Sequence, residues 1–282
     1  MPYVLIAPNS IIFLLFVLIP VIYGFYYSFM SWKGIGDGVF IGLANYAEAF
    51  SDLKFWNSMK NTGIFVIFSL PFIMAVPLFL ANLMIKNLRG RSVFRAIFYW
   101  PTMLSFIVVG ISFKFIFGDT TGVINFLLEK IHIAEIGWLT TSVSAMFVVI
   151  LATIWCRSGF YMIMYMSGLQ NISTTYYEAS EIDGANKYQQ FFYITLPLLK
   201  PTTFLVMILG LIDLFKTYGL VIALTNGGPA GATKFIVQYI YEKAFSELDL
   251  GYACSLSILL MLILAVLTLL QFITRRGGEI DA

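Results

Sequence analysis

The chain is 282 residues long, 60% apolar and only 11% charged, with a mean hydropathy of +0.87. Soluble domains carry about 45–50% apolar and about 25% charged residues, so these figures exclude a water-soluble globular enzyme and a disordered chain. A net charge of +2 leaves no basic footprint for nucleic acid, and what remains is a polytopic membrane protein.

A span needs roughly 20 mostly apolar residues, and six stretches meet that need. The first, about 4–30, has no charge from Val4 to Met30. It lacks a basic start and a small-residue cleavage site, so it reads as a retained helix and not a signal peptide. The second covers about 61–85. A short loop then holds Lys86, Arg89, Arg91 and Arg95. The third covers about 96–117, with Lys114 near its end placed to snorkel outward. The fourth, about 141–166, is interrupted by Arg157. The fifth, about 201–224, is apolar except for Asp213 and Lys216, and the sixth covers about 250–274. These runs are helix-length and do not alternate, which excludes a β-barrel. The expected fold is an all-α polytopic membrane protein, one transmembrane domain over 1–282 with six helices.

Orientation follows from Lys and Arg. One side collects Lys86, Arg89, Arg91, Arg95, Lys187, Lys200, Arg275 and Arg276; the other holds Lys33, Lys54, Lys60, Lys130, Lys234 and Lys243, spread over longer loops. The dense 86–95 cluster lies in a short loop, where the positive-inside rule is strongest. Both termini and the 170–200 segment are therefore expected in the cytoplasm. Cys156 and Cys254 are too few for a disulfide framework, and His132 alone builds no metal site.

The segment 170–200 is long for a cytoplasmic connection and reads as two short helices. Thr175 to Glu178 fits a capping box, and Ala179 to Ile182 continues that helix. Gly184 supplies a turn without a Cβ penalty. Asn186 to Ile194 forms a second helix with Tyr188, Phe191, Phe192 and Tyr193, which Pro197 is expected to stop, while Pro201 opens the next span. An aromatic face standing off the membrane is a docking surface for another chain.

Ionisable groups at membrane depth usually face a bundle interior or a watery path. Thr153, Arg157 and Phe160 fall at i, i+4 and i+7 and share a face. Asp213 and Lys216 are three apart and also share one. One reading is a translocation path, with Arg157 and Lys216 offering donors to a solute and Phe160 stacking on a sugar ring. Another is an ion pair that joins helices, with Asp213 neutralising Lys216 or Arg157, or a Lys216 that snorkels. The formal sum of these charges is +1, which leaves the charge of the solute undecided. The segment 225–249 opens on a flexible Thr225-Asn226-Gly227-Gly228-Pro229 and continues over Thr233 to Glu247 as an amphipathic helix at the outer interface. It either packs on the bundle or forms a gate or a seat for a partner.

Glu178-Ala179-Ser180, Asp183-Gly184-Ala185, Phe191, Ile194, Leu196-Pro197 and Pro201 resemble the EAA loop of ABC importer permeases. The departure is Ser180, where that family usually has alanine. Ile41 to Tyr46 resembles a "GxxNY" segment of the carbohydrate-type permeases of the maltose and glycerol-phosphate importer kind. Phe94-Arg95 with Pro101 resembles their entry to the third helix, and Leu224 to Pro229 their outer "LTxGGP". The resemblance covers nearly the whole chain. It implies a non-catalytic permease subunit whose 170–200 loop is the coupling helix seated in an ATPase. It implies a path lined from the middle of the fourth and fifth helices. The implied partners are a second homologous permease, ATPase subunits, an extracytoplasmic solute-binding protein and membrane lipid, in a bacterial or archaeal cell membrane. No cofactor is expected on this chain: it contains no GxxxxGK[ST] loop, so ATP and Mg would sit on the partner. A gradient-driven transporter would carry intramembrane carboxylates and repeats, and Asp213 is the only deep carboxylate. A membrane enzyme would need clustered His, Asp or Glu. A scaffold would bind through the same loop and move nothing.

Overall fold

The computed structural model describes residues 2–85, 90–120 and 122–276, with side chains over 6–85, 90–120 and 122–274. Lys86, Arg89 and the side chains of Arg275 and Arg276, all counted in the orientation argument, lie outside the described residues.

In chain order the helices are α1 (Pro2–Phe13), α2 (Ile19–Tyr27), α3 (Ala44–Ser51), α4 (Leu53–Ile85), α5 (Arg91–Tyr99), α6 (Phe106–Ile116), α7 (Val123–Lys130), α8 (Ser142–Gln170), α9 (Thr174–Ile182), α10 (Lys187–Gln190), α11 (Leu196–Leu198), α12 (Lys200–Phe215), α13 (Gly219–Leu224), α14 (Ile236–Tyr241) and α15 (Leu250–Arg276). A two-stranded antiparallel ribbon, β1 (Met30–Ser31) with β2 (Val39–Phe40), is the one departure from an all-helical fold among the described residues. Among the described residues, four helices are long and apolar enough to cross a membrane: Ile6–Tyr27, Leu53–Ile85, Ser142–Gln170 and Leu250–Thr274. Two further pairs meet the test only together and are bent, Arg91–Met103 with Phe106–Ile116 by 100° and Lys187–Leu198 with Lys200–Phe215 by 66°.

Proline explains several irregularities. It lacks an N–H, and its ring clashes with the carbonyl four residues back. The helix widens into π turns at Leu14–Leu18 and Phe191–Thr195, each ending two residues before a proline, Pro20 and Pro197. Pro197 thus does not stop the second loop helix, as expected from sequence. The wider turn accommodates it, and the helical run ends at Leu198. Pro101 opens a 3₁₀ turn, Trp100–Met103, which breaks the expected third span before Ser105. The expected fifth span is also broken. α12 ends at Phe215, and Thr217 turns its Oγ1 back to the Asp213 carbonyl at 3.2 Å, competing with the helix ladder. The chain resumes as α13 at Gly219.

The described residues form two compact units, Met1–Met59 with Ile236–Ala282, and Lys60–Phe235. In the first, α15 packs on α2, α3 and β1. The Asn45 side chain donates to the carbonyls of Ser28 (2.9 Å) and Met30 (3.0 Å), and the Tyr46 hydroxyl meets Ser28 Oγ at 2.6 Å. The Asn-Tyr pair of the 41–46 segment is therefore a pin on the end of α2. Asp52 is a second hub. Tyr239 and Tyr252 both donate to its Oδ2, Tyr252 at 2.8 Å, and the Lys54 amide donates to Oδ1 at 2.8 Å. Lys243 lies 5.6 Å and 5.4 Å from the centres of those two tyrosine rings and pairs with Glu247 at 2.7 Å. Partial burial pushes the Asp52 carboxyl up, but the hydrogen bonds from Tyr239, Tyr252 and the Lys54 and Phe55 amides outweigh it and hold it below the usual carboxylate value of 3.8. Burial, reinforced by the bond to Asp52, pushes the Tyr239 phenol up, so it stays a donor.

In the second unit α8 is the centre. It packs against α5, the Trp100–Met103 turn, α6, α12 and α13. Gly159 permits the closest of these approaches. A Cβ there would stand 2.2 Å from the Phe98 carbonyl oxygen and 2.7 Å from the Tyr99 Cα, which is backbone on backbone. Small residues serve this purpose wherever lipid supplies no hydrophobic force between helices. Arg95 Nη2 donates to the Met84 carbonyl at 3.2 Å, placing a cation at the C-terminus of α4.

Gly159→Val is expected to cost about 1–3 kcal/mol by overpacking, read as a lower Tm of the purified protein in detergent. Asp52→Asn is expected to lower the Tm at pH 7 by a few degrees. Because the folded-state value is depressed, the stabilisation is present above 3.8 and is lost as pH falls through the lower folded value. The gap between native and Asp52→Asn melting temperatures should therefore close on acidification below that point; a gap independent of pH would assign the loss to shape alone.

Candidate functional site

Two groups of residues in the second unit carry the chemistry. The first is the 170–200 hairpin. α9 is capped by Ser173, whose Oγ accepts from the Thr175 amide at 3.3 Å. The capping box expected at Thr175 and Glu178 is absent: Glu178 is exposed and does not reach back. The box lies instead at α10, where the Asn186 side chain accepts from the Tyr188 and Gln189 amides and Gln189 returns to the Asn186 amide at 2.8 Å. Asn shares the capping preference of Ser and Thr, so the signal was in the sequence at both positions and the local competition decided between them.

α9 ends in a Schellman turn. The Ala185 amide donates to Ser180 O (2.9 Å) and the Gly184 amide to Glu181 O (3.1 Å), with Gly184 at φ +79°, the left-handed conformation this turn requires. Asp183 is exposed beside it. Ser180, the departure from the family alanine, has a role of its own. Gln190 Nε2 donates to its Oγ at 3.0 Å, and that Oγ donates to Tyr177 O at 2.8 Å. Tyr177 and Thr195 join hydroxyls at 2.9 Å. The two loop helices are thus tied into one body. It presents Ile182 (88% exposed), Tyr188 (80%) and Tyr193 (79%) outward, with an open groove beside Tyr193 lined by Ser180, Gly184 and Gln190. Ala179 and Pro197 are exposed, while Ala185, Phe191 and Leu196 are half-buried. Gly168, at the end of α8, leaves room for Thr202 and Leu199 at the start of α12, so both helices leave the hairpin in contact.

The second group surrounds Arg157. Its Nη2 pairs with Asp213 Oδ2 at 3.3 Å, with the two side chains 26% and 33% exposed. The Tyr161 hydroxyl donates to the same oxygen at 2.9 Å, and the guanidinium lies 4.5 Å from the centre of the Phe106 ring. Asp213 therefore pairs with Arg157 and not with Lys216, which is exposed at the end of α12. Thr153 is not brought to this group: it is 3% exposed and spends its hydroxyl on the Val149 carbonyl at 2.8 Å. Phe160 is partly exposed and meets Tyr161 edge-to-face at 5.2 Å. Tyr161 and Phe106 were missed from sequence. Tyr161 stands at i+4 from Arg157, a spacing that places it alongside; Phe106 carries no local signal.

Hydrogen bonds hold the Thr225–Pro229 segment in a turn. The Thr225 and Thr233 hydroxyls meet at 2.7 Å, Thr233 Oγ1 donates to Gly228 O at 2.6 Å, and the Thr233 amide donates to Gly227 O at 3.2 Å. Asn61 clamps the Gly231 carbonyl at 2.8 Å. Asn226 and Gly227 take positive φ. The helix expected from Thr233 begins at Ile236.

Residues 73–277 match the family described as binding-protein-dependent transport system inner membrane component. AmyD of Thermoanaerobacterium thermosulfurigenes, described as a probable starch degradation products transport system permease protein, is 34% identical over 98% of this chain and 94% of its own length. The sn-glycerol-3-phosphate transport system permease protein UgpA of Agrobacterium fabrum is 33% identical over 96% and 93%. Among solved structures, a chain of a bacterial ABC transporter involved in the import of the acidic polysaccharide alginate superposes with a TM-score of 0.85 at 25% identity, covering 98% of this chain and 95% of that one. The transporter in complex with an alginate pentasaccharide-bound periplasmic protein gives 0.85 as well.

Tyr177→Phe removes one hydroxyl bond between the loop helices. A typical net hydrogen bond is worth about 0.5–1.5 kcal/mol, so amides of 174–195 should exchange with solvent several-fold faster, measured by hydrogen–deuterium exchange, with exchange in α15 unchanged.

Proposed function

The chain belongs to the family of binding-protein-dependent transport system inner membrane components, among the carbohydrate-type ABC permeases, and we propose that it is one permease subunit of an ATP-driven importer that moves a sugar or sugar-like solute into the cytoplasm. It is a multi-pass membrane protein. In this reading each bent pair counts as one span, giving six spans in one permease domain with both termini in the cytoplasm. The hairpin at 170–200 is the seat of a separate ATPase, which holds ATP and Mg. Glu178, Ala179, Ser180, Asp183, Gly184, Ala185, Phe191, Leu196 and Pro197 form that seat or its supports.

The observation that carries the proposal is the rigidity of the hairpin together with its attachment. Its helices are cross-tied, its apolar side chains face outward, and it leads directly into α8 and α12, which hold Arg157 and Asp213. A push on the hairpin would therefore arrive at the ion pair as a movement of helices. The solute path is proposed to run past Arg157, Asp213, Lys216 and Phe160. The related permeases named for starch products and glycerol phosphate support a polyhydroxylated solute. A second permease and an external binding protein complete the assembly; the alginate transporter, in complex with a periplasmic protein, supports the latter. The Asn226–Pro229 turn is a candidate gate or contact for it.

Gly184→Pro tests the coupling, because proline fixes φ near −65° where the turn needs +79°. In mild detergent the native chain should co-purify with an ATPase and a second permease. The variant should insert normally, lose the ATPase and abolish transport. A native chain that purifies alone or as a homodimer would overturn the proposal in favour of a gradient-driven carrier.

A further inference from the structure

The Arg157 group is built where two helix breaks converge. Phe106 is the first residue after the break at Leu104–Ser105, and Asp213 stands one turn before the break at 216–218. The first residue of α13, Gly219, lies against Phe106 and Ile107, so the two interruptions adjoin. Non-helical backbone at membrane depth is tolerated only where it is buried in protein or lines a watery cavity. Discontinuous helices of this kind mark solute sites in other transporters.

The charges at this point cancel. Arg157 is covered on one face by Phe106 and paired at its edge by Asp213, so it is not a bare cation waiting for an anion. Tyr161 and Arg157 both hold Oδ2 of Asp213, which leaves Oδ1 to accept from a ligand. Tyr161 is fully buried, so it fixes the carboxylate without meeting the solute. A solute hydroxyl can donate to Oδ1 and accept from a remaining guanidinium N–H together. An ionised carboxylate or phosphate oxygen can only accept, and it would face the Asp213 charge in a medium where like charges repel strongly. Lys216 makes no ion pair with Asp213, whose paired cation is Arg157.

Resting on the proposed path, we infer that Asp213 is a charge selector, positioned by Tyr161, that admits a neutral polyhydroxylated solute past Arg157 and turns away an anionic one. The relatives and structural neighbours include transporters of acidic solutes, so the family alone does not settle this property.

The test is equilibrium dialysis of the purified assembly, in detergent and without binding protein, against radiolabelled maltotriose and trigalacturonate. These are trisaccharides of pyranose sugars that differ mainly in three carboxylates. The native assembly should bind maltotriose at least about tenfold more tightly, the scale set by one charge–charge repulsion at reduced dielectric. Asp213→Asn should bring the ratio close to one, and Lys130→Gln, an exposed cation on α7 outside the proposed path, should leave it as it was. Tyr161→Phe should lower the ratio part-way with assembly and Tm retained, which a merely structural tyrosine would not do. If Asp213→Asn fails to assemble, Tyr161→Phe carries the comparison, with Asp213→Glu, which keeps the charge, expected to retain the preference. Equal or reversed preference in the native protein, an unchanged ratio in Asp213→Asn or Tyr161→Phe, or no binding of either probe would overturn the inference. An assembly that still holds its ATPase in those cases leaves the permease reading standing; loss of the ATPase from the native chain overturns that reading instead.

Discussion

The pairing of Arg157 with Asp213 is the interaction on which the second unit depends. A charge at membrane depth is costly unless it is paired or wetted, and here one carboxylate oxygen satisfies both a guanidinium and a phenol. That contact fastens the middle of α8 to the end of α12. It also gives the helix breaks on either side a polar surface to line, because unwound backbone needs partners that lipid does not supply.

The hairpin at 170–200 is held by a second set of side-chain bonds. The hydrogen bonds between its helices are part-buried, and they are mutually constrained. Ser180 is bonded from α10, Tyr177 reaches the π turn, and Gly184 sets the angle between the two helices. The π turn before Pro197 keeps the helix continuous where a plain α-helix would clash. A bend of 66° then directs the chain into α12. The result is a cross-tied element with outward-facing Ile182, Tyr188 and Tyr193.

In the first unit the polar hubs do a different task. Asn45 and Asp52 each gather bonds from segments far apart in sequence. Asp52 stays ionised because its donors outnumber what burial takes away. These residues anchor loops at helix ends, where backbone groups would otherwise be orphaned.

By itself the sequence determined the class, the positions of the apolar stretches, the two-helix character of the 170–200 loop and the presence of charges where charges are rare. Each of these is written in local composition or in short spacing, which act over one or two helical turns. The site was legible in part: Arg157 and Asp213 stood out because lipid makes any such residue conspicuous, and Gly184 because only glycine takes its turn cheaply. Several outcomes belonged to the tertiary structure. These were the pairing of Asp213 with Arg157 and not Lys216, the turning of Thr153 into its own helix, the stacking of Phe106, the breaks in the third and fifth spans, and the fixing of the Thr225–Pro229 turn. Each depends on which segment, tens of residues away, supplies the competing hydrogen bond or ring, and that choice is made by packing between helices, for which a single chain of letters carries no distance.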